Sequence, residues 1–350
     1  VVALAAVGLM VAGAGTGQNP SSSHPGFTAL IGSPTTEPGV GRLAGAGTVA
    51  SMVDAVRPST VLLTAVGPDG TVTSTGVVVE SGGIIVAIAG AVDRATSITA
   101  VEADGTRQAA TLVGVDRTSD LAVVSVSNDL PAATFDTGDP STGSVAFAMA
   151  LEPLRHPAKA DAASPLLYAG TVTSTGQAAD VDAVTRSFAA TTIEAPLADG
   201  DLGCPLLDDS GHVAGLLDTV RRTGSATVAV FLPAELVMGV AEQLVSSGQV
   251  ESGWMGVEVS DAGAAAPDGA RLDLIEDGSP AVAGGMVDGD VITAVDGEPV
   301  HSAAELRTRL YALPPGTELQ VTFERGGTSM TGTVALGDGD GDAPAGGGSP

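Results

Sequence analysis

Few side chains in this protein could carry covalent chemistry, and the most suggestive stretch is residues 199–211, DGDLGCPLLDDSG. It holds the single cysteine, Cys204, among glycines and carboxylates. An unperturbed thiol has a pKa of about 8.5, so only a few per cent is thiolate at neutral pH unless a base stands beside it. The chain has 4 histidines, and none falls between His24 and His156. His156 lies in the loop-like stretch RHPAK, and His212 follows the cysteine closely in sequence. Neither is an obvious activator, so Cys204 reads more simply as a small buried hydrophobe. One cysteine also excludes an intramolecular disulfide or a multi-cysteine metal site. Asp338, Asp340 and Asp342 alternate with glycine near the C-terminus. The rest of a twelve-residue calcium loop and its terminal glutamate are missing. No metal and no cofactor is expected.

Whatever these residues do, β-strands must position them. From residue 51 on, short apolar runs are punctuated by Gly, Asp and Pro: STVLLTAVG, STGVVVESGGIIVAIAG, RQAATLVGVD, DLAVVSVS, SVAFAMAL, TTIEAPL and GHVAGLLD. Many short β-branched strands at such spacing predict an all-β barrel or sandwich. Aromatics are only 3% of the chain, so Val, Ala and Leu must fill the cores. In PAELVMGVAEQLVSSGQV, the residues Leu236, Val237, Val240, Ala241 and Leu244 fall at helical spacing, which predicts a helix between Pro233 and Gly248. A second unit from about Gly253 to Leu336 mixes strands with an amphipathic helix, SAAELRTRLYAL.

The ends of the chain read differently. Residues 1–13, VVALAAVGLMVAG, are apolar and uncharged, although a full membrane span needs roughly 20 residues. We read them as part of a transmembrane or signal-anchor segment, which places the bulk outside the cytoplasm on a single-pass cell-membrane tether. Residues 14–50 are rich in Gly, Pro, Ser and Thr and read as a flexible linker. Residues 338–350 read as an acidic, Gly-rich tail. The formal net charge of −27 argues against nucleic acid, whose phosphates require Lys and Arg stripes.

Several segments, in order, resemble the HtrA-type serine proteases, in which a trypsin-like double β-barrel precedes a PDZ domain. STGVVVESGGIIVAIAGAV resembles the strand leading to the general-base histidine. GVDRTSDLAVVSV resembles the segment that carries the orienting aspartate, and EAPLADGDLGCPLLDDSGHVAGLLD the nucleophile loop with its hairpin. The resemblance implies a mainly β fold, with a protease-fold domain over 51–250 and an α+β PDZ domain over 251–337. It also implies positions for a catalytic triad. The aspartate is present as Asp120, the histidine position is Gly90 and the serine position is Leu202. A glycine cannot take a proton and a leucine cannot attack a carbonyl. In subtilisin, loss of the nucleophile or the base alone costs about 10⁶ in turnover. Asp201 replaces the family's asparagine, and a charge there would oppose an oxyanion beside it.

The C-terminal unit resembles a PDZ domain with its groove intact. GWMGV resembles the carboxylate-binding loop, and Gly256 there lets successive backbone N–H groups face a terminal carboxylate. The strand VEVS offers an edge for an added peptide strand. The resemblance implies Trp254, Met255, Gly256, Val257, Leu306 and Leu310 as the peptide-binding residues. The domain's acidity favours apolar or basic C-terminal peptides over acidic ones. The expected function is thus that of an extracytoplasmic pseudoprotease that binds polypeptide C-termini or unfolded segments, with an active HtrA-type relative as a further partner. The alternatives are an active serine endopeptidase of envelope quality control and a purely structural envelope protein.

Overall fold

The computed structural model describes residues 28–30, 46–138, 140–153, 163–179, 188–208, 210–224, 226–263 and 268–338. The apolar run 1–13, most of the 14–50 stretch, His156 and the tail beyond residue 338 lie outside the described residues. The chain divides into two compact units. One comprises the residues up to Val115 together with Asp120–Thr175 and Thr191–Ala234; the other comprises Asp116–Ser119, Gly176–Ala190 and the chain from Glu235 onward.

Two elements precede the first barrel, β1 (Thr28–Leu30) and α1 (Ala46–Val56). Both begin within the stretch expected to be a linker. β1 is only three residues long, too short to show a period, and its ladder comes from a strand of the second barrel, with which it pairs in parallel. α1 contains Gly47, Thr48 and Val49, which are weak helix formers. Burial of Met52, Val53 and Val56 outweighs that local preference.

In the first unit, β2 (Thr60–Gly67), β3 (Gly70–Glu80), β4 (Ile84–Ile88), β5 (Ser97–Val101), β6 (Arg107–Asp116) and β7 (Leu121–Ser125) close into a barrel in the order β2-β3-β4-β7-β6-β5. A one-turn helix, α2 (Ala89–Val92), follows β4. Val61, Leu63 and Ala65 alternate inward along β2, as the two-residue strand period requires. A second six-strand ring follows from β8 (Val145–Pro153), β9 (Ala163–Ala179), β10 (Phe188–Glu194), β11 (Pro205–Leu207), β12 (Val213–Thr223) and β13 (Ala226–Pro233). Its order is β8-β9-β10-β13-β12-β11, and β11 pairs back onto β8. Closure removes sheet edges, so chains rich in short strands settle into rings. The expected double barrel is present.

Thr75 stitches the two rings together. Its N–H donates to the Leu202 carbonyl at 2.9 Å, and its hydroxyl accepts the Leu151 N–H at 3.1 Å.

In the second unit, α3 (Ala234–Ser247) buries Leu236, Val237, Val240, Ala241 and Leu244, the residues its periodicity selects. Then come β14 (Val257–Asp261), β15 (Ala270–Ile275), α4 (Pro280–Ala283), β16 (Val291–Val295), β17 (Glu298–Pro299), α5 (Ala303–Ala312), β18 (Glu318–Arg325) and β19 (Thr328–Ala335). The sheet order is β14-β15-β16-β18-β19, which leaves β14 at an edge; β17 pairs with β16. Ser302 caps α5 by accepting the Glu305 N–H at 3.0 Å. Further along, Thr308 Oγ1 accepts the Ala189 N–H at 2.8 Å, and the Tyr311 hydroxyl donates to Asp116 Oδ2 at 2.7 Å. These bonds hold the back of α5 within its unit and leave its other side facing β14.

Candidate functional site

The pairing of β4 with β7 sets Ile88 opposite Leu121. Residues just beyond that pair, Gly90 and Asp120, are therefore brought side by side. The Gly90 N–H donates to Asp120 Oδ1 at 2.8 Å, and the Asp120 carbonyl accepts the Ala89 N–H at 2.7 Å. Asp120 adopts φ 56°, in the left-handed region that carboxylate and amide side chains tolerate best. A Cβ on Gly90 would lie 3.6 Å from each carboxylate oxygen of Asp120. The carboxylate thus faces the place where a side chain at 90 would start, and no side chain starts there.

The loop carrying Leu202 begins with a single 3-10 turn, Asp199–Asp201. Leu202 packs against the core of the second barrel. Gly203 takes φ 77°, and a Cβ there would fall on the Thr75 carbonyl oxygen. Glycine is obligatory at that seam between barrels. The same Cβ position lies 3.7 Å from Ile88 Cγ1, so the Leu202 loop and the Gly90 turn are neighbours.

Two groups of this loop, the Asp201 carboxylate and the Cys204 thiol, point inward. Asp201 is 3% exposed, and its Oδ2 accepts the Ala198 N–H at 2.8 Å. The carboxylate is therefore turned into the barrel, not out beside an oxyanion position as the sequence suggested. The reason is the backbone turn, which offers Asp201 an amide partner that an isolated loop sequence does not reveal. Burial raises its pKa above the ordinary carboxylate value, against the opposing hydrogen bonds from Ala198 and Tyr168. Burial, and then the charge of Asp201, raise that of the Tyr168 phenol. Cys204 is fully buried in the second-barrel core, and burial pushes its thiol well up, with Asp201 adding to the effect. A protonated, enclosed thiol is no nucleophile.

One polar cluster escaped the sequence reading. Ligand-capable atoms of Asp136, Asp208 and His212 lie within 4.8 Å of one another. Asp136 is drawn there by its N–H bond to the Val213 carbonyl, a contact between segments remote in sequence. Asp208 Oδ1 accepts the Ser210 and His212 N–H groups at 2.8 Å each, and Oδ2 faces the His212 ring at 3.3 Å. That is the bonding of a hairpin cap.

In the second unit, a cavity of about 410 Å³ runs between β14 and α5, lined by residues 253–259 with Leu306, Arg307, Leu310 and Tyr311. All the residues expected to bind a peptide, Trp254, Met255, Gly256, Val257, Leu306 and Leu310, are brought together here. Met255, Leu306 and Leu310 also belong to the core, at 2%, 0% and 9% exposure. Trp254 exchanges two backbone bonds with Gly337. The Met255 and Gly256 carbonyls are engaged by the Ala281 and Glu276 N–H groups. Their own N–H groups have no acceptor among the described residues, so consecutive amides around Gly256 (φ 76°) are open to an anion. Arg307 was not singled out from sequence; only its reach across the groove marks it.

Residues 74–216 match the trypsin-like peptidase domain family, and residues 253–336 match the PDZ domain family. The chain carries a trypsin-like peptidase domain followed by a PDZ domain, the domain order of the HtrA-type family. Among curated proteins, it is 34% identical over 148 residues to a "Probable periplasmic serine endoprotease DegP-like" of Pseudomonas fulva (strain 12-X), covering 39% of this chain and 31% of that one. A protein with the same description from Rhizobium meliloti (strain 1021) is 32% identical over 155 residues, covering 41% and 31%. The matches thus span about a third of the length of these relatives. Among solved structures, "HtrA-type protease AlgW with tripeptide" superposes with a TM-score of 0.58 at 22% identity, over 82% of this chain and 96% of that one. That likeness shows the fold. Within this HtrA-type architecture, the cavity beside β14 lies in the PDZ domain and the Gly90–Asp120 pair in the peptidase domain.

Proposed function

We propose that this HtrA-type chain is a pseudoprotease that works by binding peptides. The observation that carries the reading is the pair of vacant roles in the peptidase domain. Asp120 stands against Gly90, which has no side chain, and the nucleophile position holds Leu202. General-base catalysis needs a titratable group within hydrogen-bond reach of the nucleophile, and here both groups are missing. Cys204 does not substitute, because it is buried and its thiol is held protonated. The groove supports the positive half of the proposal: an open β14 edge, free consecutive amides at Gly256 and an apolar floor at Leu306 and Leu310 suit an extended C-terminal peptide.

The names of the relatives support an extracytoplasmic location, and the apolar run 1–13 supports a membrane tether. No helix among the described residues is long and apolar enough to cross a membrane. The same names favour a second reading, an active serine endopeptidase of envelope quality control. Incubation with an unfolded, casein-like substrate separates the two. The substrate should remain intact, and cleavage abolished by Cys204→Ser or by a serine-protease inhibitor would establish the second reading.

A further inference from the structure

We infer that Arg307 makes the PDZ groove selective for peptides with an acidic residue third from the C-terminus. This rests on the peptide-binding reading above and specifies its ligand. The Arg307 guanidinium reaches across from α5, and Nη2 donates to the Val259 carbonyl on β14 at 2.9 Å. Its remaining N–H groups have no acceptor among the described residues. The contrast with Arg309, two residues on, is informative. Arg309 is paired with Glu235 at 2.9 Å and also donates to the Glu298 carbonyl. In a chain with 41 acidic residues, Arg307 therefore stands as an unneutralised cation on the wall of the groove. Nearby carboxylates do not answer it. Asp261 Oδ1 accepts the Ala303 N–H, and Glu258, which also lines the groove, is exposed and makes no ion pair with Arg307 among the described residues.

The position it reads follows from strand geometry. A peptide whose terminal carboxylate sits at Gly256 and whose body runs out along β14 is antiparallel to that strand. Its last residue then lies beside Val257, and its third-last beside Val259, where Arg307 is anchored. The third-last N–H of the incoming strand competes for the Val259 carbonyl, which releases the guanidinium to make a charge-assisted bond with an Asp or Glu side chain there. A Lys or Arg there meets like charge. The acidity of the domain as a whole acts through solvent, where screening sets in at about 8 Å, so the nearby guanidinium decides this one position.

The test uses the whole chain and a panel of peptides ending in the same apolar residue, with Glu, Asp, Ala or Lys third from the end. Binding is read by fluorescence anisotropy for the parent, Arg307→Ala and Arg307→Gln. The expected result is Glu and Asp peptides bound ~10-fold more tightly than the Ala peptide, a gap of about 1.4 kcal/mol. The Lys peptide should bind most weakly, and the spread should shrink in high salt. Both variants should lose the spread while still binding the Ala peptide, and a melting transition like the parent's shows that they fold. Equal binding of all four peptides by the parent, or the same ranking in Arg307→Ala, overturns the inference and leaves peptide binding standing. No binding of any peptide by the folded parent overturns both.

Discussion

The Gly90 amide hydrogen-bonds Asp120 Oδ1 at 2.8 Å, and the missing Cβ of Gly90 would have stood 3.6 Å from both oxygens of that carboxylate. The Asp120 carboxylate thus borders the space that a side chain at position 90 would enter. Neither glycine at 90 nor leucine at 202 disturbs the barrels.

The double variant Gly90→His/Leu202→Ser should therefore fold and show weak cleavage of an unfolded substrate that the parent leaves intact. In that variant the Asp120 carboxylate favours the imidazolium, so the new histidine should titrate above the ordinary value of about 6.5. The stabilisation from that pair is full below about 6.5 and is lost as pH rises through the higher folded value. An NMR titration of the ring decides it. A histidine titrating at or below the ordinary value would mean that Asp120 does not face position 90 in solution.

Asp201 gives the opposite slope. Its folded-state pKa is raised, chiefly by burial. From the ordinary carboxylate value of 3.8 upward, the folded chain holds this proton more tightly than the unfolded chain, so stability falls as pH rises through the folded value. Asp201→Asn removes the titration. The melting temperature of the variant relative to the parent should climb between acidic and neutral pH, whatever its constant offset. A difference independent of pH would refute the buried, titrating carboxylate.

Cys204 should be silent toward a thiol reagent such as DTNB in the native protein at mildly alkaline pH, and should react fully in concentrated guanidinium. Cys204→Ser should destabilise by about 1–3 kcal/mol, because it encloses a hydroxyl among apolar side chains. Fast native labelling would show that the thiol is accessible and reopen the question of its reactivity.

Gly256→Ala should cost about 1–3 kcal/mol from its positive φ, besides a clash of the new Cβ with that of Ser279. Because the turn carries the amides offered to a carboxylate, C-terminal peptides should lose affinity while the peptidase domain keeps its own transition. Calorimetry and the anisotropy assay report the two effects separately. Unchanged peptide affinity would place the carboxylate elsewhere.

Much of this architecture is legible in the order of residues. β-Branched runs alternating with Gly and Asp mark the strands, and the spacing from Leu236 to Leu244 marks α3. The groove residues are legible too, since GWMGV and the helix around Leu306 carry distinctive local patterns. α1 is not legible, because weak helix formers are carried by burial that only the folded chain supplies. Nor is the cluster of Asp136 with Asp208 and His212, which depends on a backbone bond between remote segments.

By itself the sequence determined that position 90 carries no side chain and position 202 a hydrocarbon, neither of which can supply a base or a nucleophile in any fold. Tertiary structure alone decided where the charges that remain are spent. Asp201 turns inward because the 3-10 turn presents it with an amide, Cys204 is silenced by the closed barrel around it, and Arg307 spans a groove because α5 lies alongside the open edge of β14. Burial and reach are set by neighbours distant in the chain, and local sequence carries no record of them.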